Sequence, residues 1–93
     1  MVKFRAEVNE VNPYKIVVDT LGKEKEEKTF STPYGAVSVR EWDGVTVIRR
    51  VEYDFEKNKY VMVDDVIVDE KKHPELVKKL REAKAKEVLE EVS

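Results

Sequence analysis

The sequence contains no cysteine and no glutamine, and it has only one histidine, three glycines and three prolines. Without cysteine the chain can form no disulfide, no thiolate zinc site and no cysteine nucleophile. One histidine supplies few ligands for a transition metal. The three glycines each fall in a turn, which makes a glycine-rich phosphate loop hard to build. These absences exclude several common classes of metal and nucleotide site.

Catalytic patterns are missing as well. The sequence has no HExxH motif and no Ser/His/Asp arrangement of a hydrolase. Asp64, Asp65 and Asp69 lack the glycine-containing spacing of a calcium loop, and His73 beside them adds too few ligands for a metal site. We therefore expect a protein that is not an enzyme, with no catalytic residues, no metal and no cofactor.

Long apolar runs are also absent. The first residues, Met1–Arg5, are not followed by the apolar stretch of a secretory signal. No segment approaches the ~20 apolar residues that a membrane-spanning helix needs. We expect a cytoplasmic protein that does not bind a membrane.

Charged residues make up 41% of the 93 residues, with a formal net charge of −2 and a pI near 5.5. The even balance of charge argues against a general affinity for nucleic acid, which normally requires a basic excess. Enrichment in Lys and Glu together with the lack of Gln and Cys is typical of proteins from thermophiles. The composition therefore favours a thermophilic source, the alternative being a designed or merely soluble protein of similar composition.

Alternating apolar and polar residues predict strands over most of the first 70 residues. Asp43-Gly44 is a strong hairpin signal between two of them. The predicted strands cover 2–8, 14–21, a short segment around 29–31, 36–42, 45–55 and 60–68. Short connections favour an antiparallel β-meander of about six strands, either a twisted sheet or a partly closed small barrel.

The sequence period changes after residue 70. His73-Pro74 followed by Glu75 is typical of a helix start, and the residues from there to Val92 contain no Gly or Pro. We predict one C-terminal α-helix over 74–92. The expected fold class is α+β, with a single domain over 1–93 in which a β-meander (1–70) precedes that helix.

Two pairs of charged residues resemble binding sites. Arg49-Arg50 resembles part of a nucleic-acid surface, and Asp64-Asp65 resembles part of a divalent-cation site. A hairpin with its loop centred on 57–58 places Arg50 opposite Asp65 and Arg49 diagonal to Asp64. Opposite charges that face each other across strands stabilise a sheet by about 0.2–1 kcal/mol. We expect the arginines and the aspartates to neutralise each other within the sheet.

In the same register, apolar residues lie on both faces of the sheet. A sheet with one fully solvated face has fewer apolar residues on that face. The predicted core face contains Val45, Val47, Val51, Tyr53, Phe55, Tyr60, Met62, Val66 and Val68. The other face contains Val37, Val39, Ile48, Val61, Val63 and Ile67. We expect the C-terminal helix to cover this second face.

The predicted helix has two apolar clusters about 140° apart, at about 100° per residue. The first consists of Leu76, Val77, Leu80 and Ala83. A straight helix on one sheet buries only one such cluster, and grouped exposed apolar residues usually mark an interaction surface. Trp42, at a strand end, either closes a barrel mouth or provides a stacking platform for a partner. The second cluster consists of Ala85, Val88, Leu89 and Val92. The candidate partner-binding residues are this second cluster and Trp42.

The opening segment Met1-Val2-Lys3-Phe4 and the segment from Pro74 to Leu80 resemble the small archaeal chromatin proteins. In that family an SH3-like sheet precedes a C-terminal helix and lies on the DNA minor groove, so the resemblance implies nucleic-acid binding. Those proteins are strongly basic, whereas this chain is acidic. No functional residue is carried over from the family.

The sequence favours a small non-catalytic protein-binding or assembly module that uses its C-terminal helix, its sheet surface, or both. The expected partner is another protein or a second copy in a homodimer. The alternative is a nucleic-acid-binding small β-barrel, whose affinity would fall steeply with salt. Its candidate residues are Arg40, Trp42, Arg49, Arg50, Lys57 and Lys59.

Overall fold

The computed structural model describes residues 1–33 and 35–88. The elements in chain order are β1 (Val2–Glu7), α1 (Pro13–Leu21), β2 (Glu26–Thr32), β3 (Gly35–Trp42), β4 (Val45–Asp54), β5 (Lys59–Val68), α2 (Pro74–Glu82) and β6 (Lys86–Val88). The α+β class and the antiparallel sheet are confirmed. The described residues contain two helices, so the prediction of a single helix is wrong.

The six strands form one antiparallel sheet in the order β2-β3-β4-β5-β1-β6. Strands β2 to β5 form the predicted meander. Strand β1 does not pair with β2, because α1 separates them in the chain and β1 pairs instead with β5. The edges, β2 and β6, lie at opposite ends of the sheet, so it stays open and the partly closed barrel is wrong.

The predicted strand over 14–21 is wrong, because this segment forms α1. The Asn12 side chain accepts a hydrogen bond from a backbone N–H of the first turn at 3.2 Å, and Pro13 occupies that turn. This is the cap chemistry of a helix start. The β-branched residues suggested a strand, but Pro13 and Val17, four residues apart, are both buried on one side of the helix.

The predicted helix over 74–92 is wrong in its second part, because α2 ends in a Schellman motif. The Lys84 N–H donates to the Arg81 carbonyl at 3.0 Å, and the Ala85 N–H donates to the Leu80 carbonyl at 3.1 Å. Two such bonds close the C-terminus of a helix. An apolar contact normally joins the last helical turn to the second residue after the cap. Here Leu80 and Ala85 are buried in the same core cluster, which holds the chain in this turn.

The helix stop carries no glycine signal, since Lys84 adopts the left-handed conformation that glycine usually provides (φ 63°). The chain then turns back as β6 and pairs with β1. Residues 89–92 of the predicted helix lie outside the described residues.

We expect Lys84→Gly to raise the free energy of unfolding by about 0.5–1 kcal/mol, because glycine adopts a left-handed φ without a Cβ penalty. A urea titration at constant pH measures this. The matched control is Lys78→Gly at an exposed site inside α2, which should cost about 1 kcal/mol. Equal losses for the two variants would mean that the helix continues through residue 84.

Both helices pack on one face of the sheet, which we call the helix-side face. Its buried residues form one cluster with those of the helices. The sheet contributes Phe4, Trp42, Val45, Val47, Val66 and Val68, and the helices contribute Val17, Leu76, Val77 and Leu80. The prediction that the helix covers the opposite face is therefore wrong, and the opposite face carries no helix among the described residues.

Candidate functional site

The β4–β5 hairpin turns through a four-residue loop, 55–58, which begins one residue earlier than the predicted turn, 56–59. The Asp54 side chain accepts hydrogen bonds from two backbone N–H groups of the loop at 2.9 and 3.1 Å. Asn58 adopts a left-handed conformation, with φ 55°. The register therefore differs by two residues from the predicted one, and Asp54 pairs with Lys59. A shift of two leaves every side chain on its predicted face.

The earlier start of the loop takes Phe55 out of the strand and leaves its ring largely in solvent. The Phe55 ring packs edge-on against Tyr53, with ring centroids 5.0 Å apart. Tyr53 packs in the same way against Tyr60, also at 5.0 Å, and its hydroxyl donates a hydrogen bond to Asn58. The rings are thus held by one another and by the loop.

These rings belong to the half of the helix-side face that α1 and α2 do not cover. Four large apolar residues are exposed there: Phe55 by 87%, Tyr60 by 58%, Met62 by 44% and Tyr53 by 37%. Val51 and the three aromatic residues line a depression of about 450 Å³. We call this region the bare face, and its residues are Ser31, Ala36, Val51, Tyr53, Phe55, Tyr60 and Met62.

No member of the bare face carries a charge, although 41% of the chain is charged. Aromatic residues and Met are enriched, and charged residues depleted, at the centres of protein interfaces. The composition of the bare face matches such a centre.

An ion pair marks the boundary between the covered and the bare halves. Arg49 donates to both carboxylate oxygens of Asp64, at 2.7 and 2.9 Å, and Asp64 is completely buried. The hydrogen bond to Asp64 raises the pKa of the Arg49 guanidinium. The guanidinium groups of Arg49 and Arg40 both lie over the Tyr14 ring of α1, 4.9 and 4.4 Å from its centroid. The start of α1 therefore closes the covered core with a charged layer.

The opposite face holds a second ion-pair network, centred on Asp65. Arg5 donates to this carboxylate at 2.8 Å, and Arg50 pairs with it and with Glu52. Burial raises the pKa of Asp65, but the hydrogen bonds from the two arginines outweigh it and hold the pKa below its ordinary value. These pairs stabilise the fold above the unfolded-state pKa of about 3.9 and are lost as pH falls through the lower folded-state value.

The two networks confirm that the arginine and aspartate pairs neutralise each other across β4 and β5. In the observed register Arg49 is directly opposite Asp64, and Arg50 reaches Asp65 diagonally. Both aspartates are buried, so neither pair is an exposed nucleic-acid or cation site.

The residues of the predicted nucleic-acid surface are not brought together. Arg40, Trp42 and Arg49 are on the helix-side face, Arg50 and Lys59 are on the opposite face, and Lys57 is in the hairpin loop. Trp42 is buried in the core, where its indole N–H donates to the Gly22 carbonyl at 2.9 Å. Lys57 forms ion pairs with Glu7 and Glu10.

The predicted partner-binding residues do not form an exposed helical face within the described part of the chain. Ala85 is only 7% exposed and belongs to the core. Val88 is half-buried in β6, opposite Lys3. Leu89 and Val92 lie outside the described residues. The apolar surface that the structure does expose, the bare face, had been assigned to the core.

Among residues 1–33 and 35–88, no group of three or more His, Asp or Glu side chains is placed to hold a metal ion. None of the helices in the same ranges has the length and the apolar character to cross a membrane.

No protein-family model, curated protein or solved structure matches this chain.

Proposed function

We propose that this chain is a small non-catalytic protein-binding module and that the bare face is its binding surface. The observation that carries the proposal is a set of three aromatic rings and a methionine, exposed side by side on a sheet surface without charge. Such a surface gains free energy when a partner removes it from water.

The size of the exposed apolar area supports this role. Taking about 200 Å² for each large side chain, the exposed fractions of Tyr53, Phe55, Tyr60 and Met62 amount to roughly 450 Å². The largest apolar patch on a typical monomer is about 300–600 Å² and is often functional. The patch is thus of the size that interaction sites have, on a domain of only 93 residues.

The bare face is also preorganised. The rings pack edge-on, and the loop that carries Phe55 is fixed by hydrogen bonds to Asp54. Rigid aromatic side chains lose little conformational entropy when a partner binds. Binding energy is therefore not consumed in ordering the site.

Stacked aromatic residues on a sheet can also bind the bases of single-stranded nucleic acid, which is the alternative function. Binding of this kind needs cations beside the rings to hold the phosphates. Four of the five predicted cations, Arg40, Arg49, Arg50 and Lys57, are in ion pairs with carboxylates of the same chain. A protein partner needs none of these pairs to break and is favoured for that reason.

Selection from a displayed random peptide library tests the proposal. The wild-type protein is the target, and the double variant Phe55→Glu/Tyr60→Glu is used for counter-selection. We expect enrichment of apolar and aromatic peptides whose affinity for wild type exceeds that for the double variant by more than about tenfold, or 1.4 kcal/mol.

The matched control is Phe30→Glu, because Phe30 is an exposed aromatic residue of the opposite face. This variant should bind the selected peptides as wild type does. Peptides that bind all three proteins equally, or no enrichment at all, would contradict the proposal. Saturable binding of a single-stranded oligonucleotide that Phe55→Glu abolishes would favour the alternative.

A further inference from the structure

We infer that the bare face binds a second copy of this chain, forming a two-fold symmetric dimer. This inference rests on the proposed role of the bare face as a protein-binding surface. Two properties of the surface support this partner: its lack of charge and its area.

The lack of charge makes the surface compatible with itself. In a two-fold dimer each copy presents the same patch, so a charge near the axis meets its like. Like charges placed together in an interface cost several kcal/mol. All seven residues of the bare face are uncharged, and two copies can therefore meet without this repulsion.

The area predicts a weak dimer. Two patches of roughly 450 Å² would bury about 900 Å², which is above most crystal contacts but below the ~1,200 Å² of stable specific interfaces. We therefore expect a dissociation constant of roughly 10⁻⁵ to 10⁻⁴ M. The chain should be a monomer when dilute and a dimer at high concentration.

Sedimentation equilibrium over a range of about 10 µM to 1 mM, spanning that constant, tests the inference. The wild-type mass should rise from 10.9 kDa towards twice that value. Phe55→Glu, and separately Phe55→Ser in case the charged variant misfolds, should remain monomeric throughout. Phe30→Glu should associate as wild type does, because it places the same charge on the opposite face.

A wild-type monomer at the highest concentration would overturn the inference, and so would a dimer that Phe55→Glu leaves intact. Neither result decides the proposed protein-binding function, which depends on the peptide selection. Peptide binding together with a monomeric wild type would mean that the bare face takes a different protein. A monomer that binds single-stranded oligonucleotide through Phe55 would overturn both proposals.

Discussion

Arg49→Ala should lower the free energy of unfolding by about 3–5 kcal/mol, measured by urea denaturation near pH 7. The guanidinium donates to both oxygens of Asp64, which is completely buried beneath the start of α1. Removing it leaves an uncompensated charge in the interior. It also removes one of the two cations stacked on the Tyr14 ring.

The adjacent residue provides a matched control. Arg50 has a similar exposure, but its partner Asp65 keeps a second cation, Arg5, when Arg50 is removed. Arg50→Ala should therefore cost only about 1 kcal/mol, in the range of a single hydrogen-bonded interaction. The double variant Arg49→Leu/Asp64→Leu should recover much of the lost stability, because no charge remains buried. Equal effects of the two arginine variants would contradict this account of the boundary.

Phe4→Ala should lower the free energy of unfolding by about 3–5 kcal/mol, through the lost burial and the cavity that remains. The Phe4 side chain is completely buried beneath the helices, in the cluster that joins β1, β4, β5 and α2. The same substitution at Phe55 should change stability by no more than about 0.5 kcal/mol, because that ring is 87% exposed.

The contrast between these two phenylalanines separates residues that stabilise the fold from residues available for binding. Thermal or urea denaturation of both variants, at protein concentrations low enough to keep the chain monomeric, measures it. A loss of several kcal/mol for Phe55→Ala would mean that the bare face belongs to the core, and its assignment as a binding surface would fail.

The sequence predicted the central hairpins well, because their signals are local. Asp43-Gly44 and the alternating residues on each side of it define β3 and β4. The sequence misassigned α1, since a short amphipathic helix of β-branched residues has the composition of a strand. It also overextended α2, because the left-handed residue that ends the helix is a lysine, and the core that buries Leu80 and Ala85 is completed by residues distant in the sequence.

The faces of β4 and β5 were correct although the register was not, because a two-residue shift preserves the alternation. The bare face was missed for a geometric reason. The ten-residue strands are about 34 Å long, whereas each nine-residue helix is only about 14 Å long. Each helix is therefore less than half as long as these strands. Correct helix lengths would have indicated that part of the predicted core face is exposed.

The central claim is that a second copy of the chain binds the bare face, and the two methionines allow a direct test. Met62 is in the bare face, whereas Met1 is exposed elsewhere and serves as an internal reference. The protein is labelled with ¹³C at the methionine methyl groups, and its methyl NMR spectrum is recorded over a series of protein concentrations. We predict that the Met62 signal shifts with concentration while the Met1 signal stays fixed, and that Phe55→Glu abolishes the shift. A Met62 signal that is independent of concentration would contradict the claim.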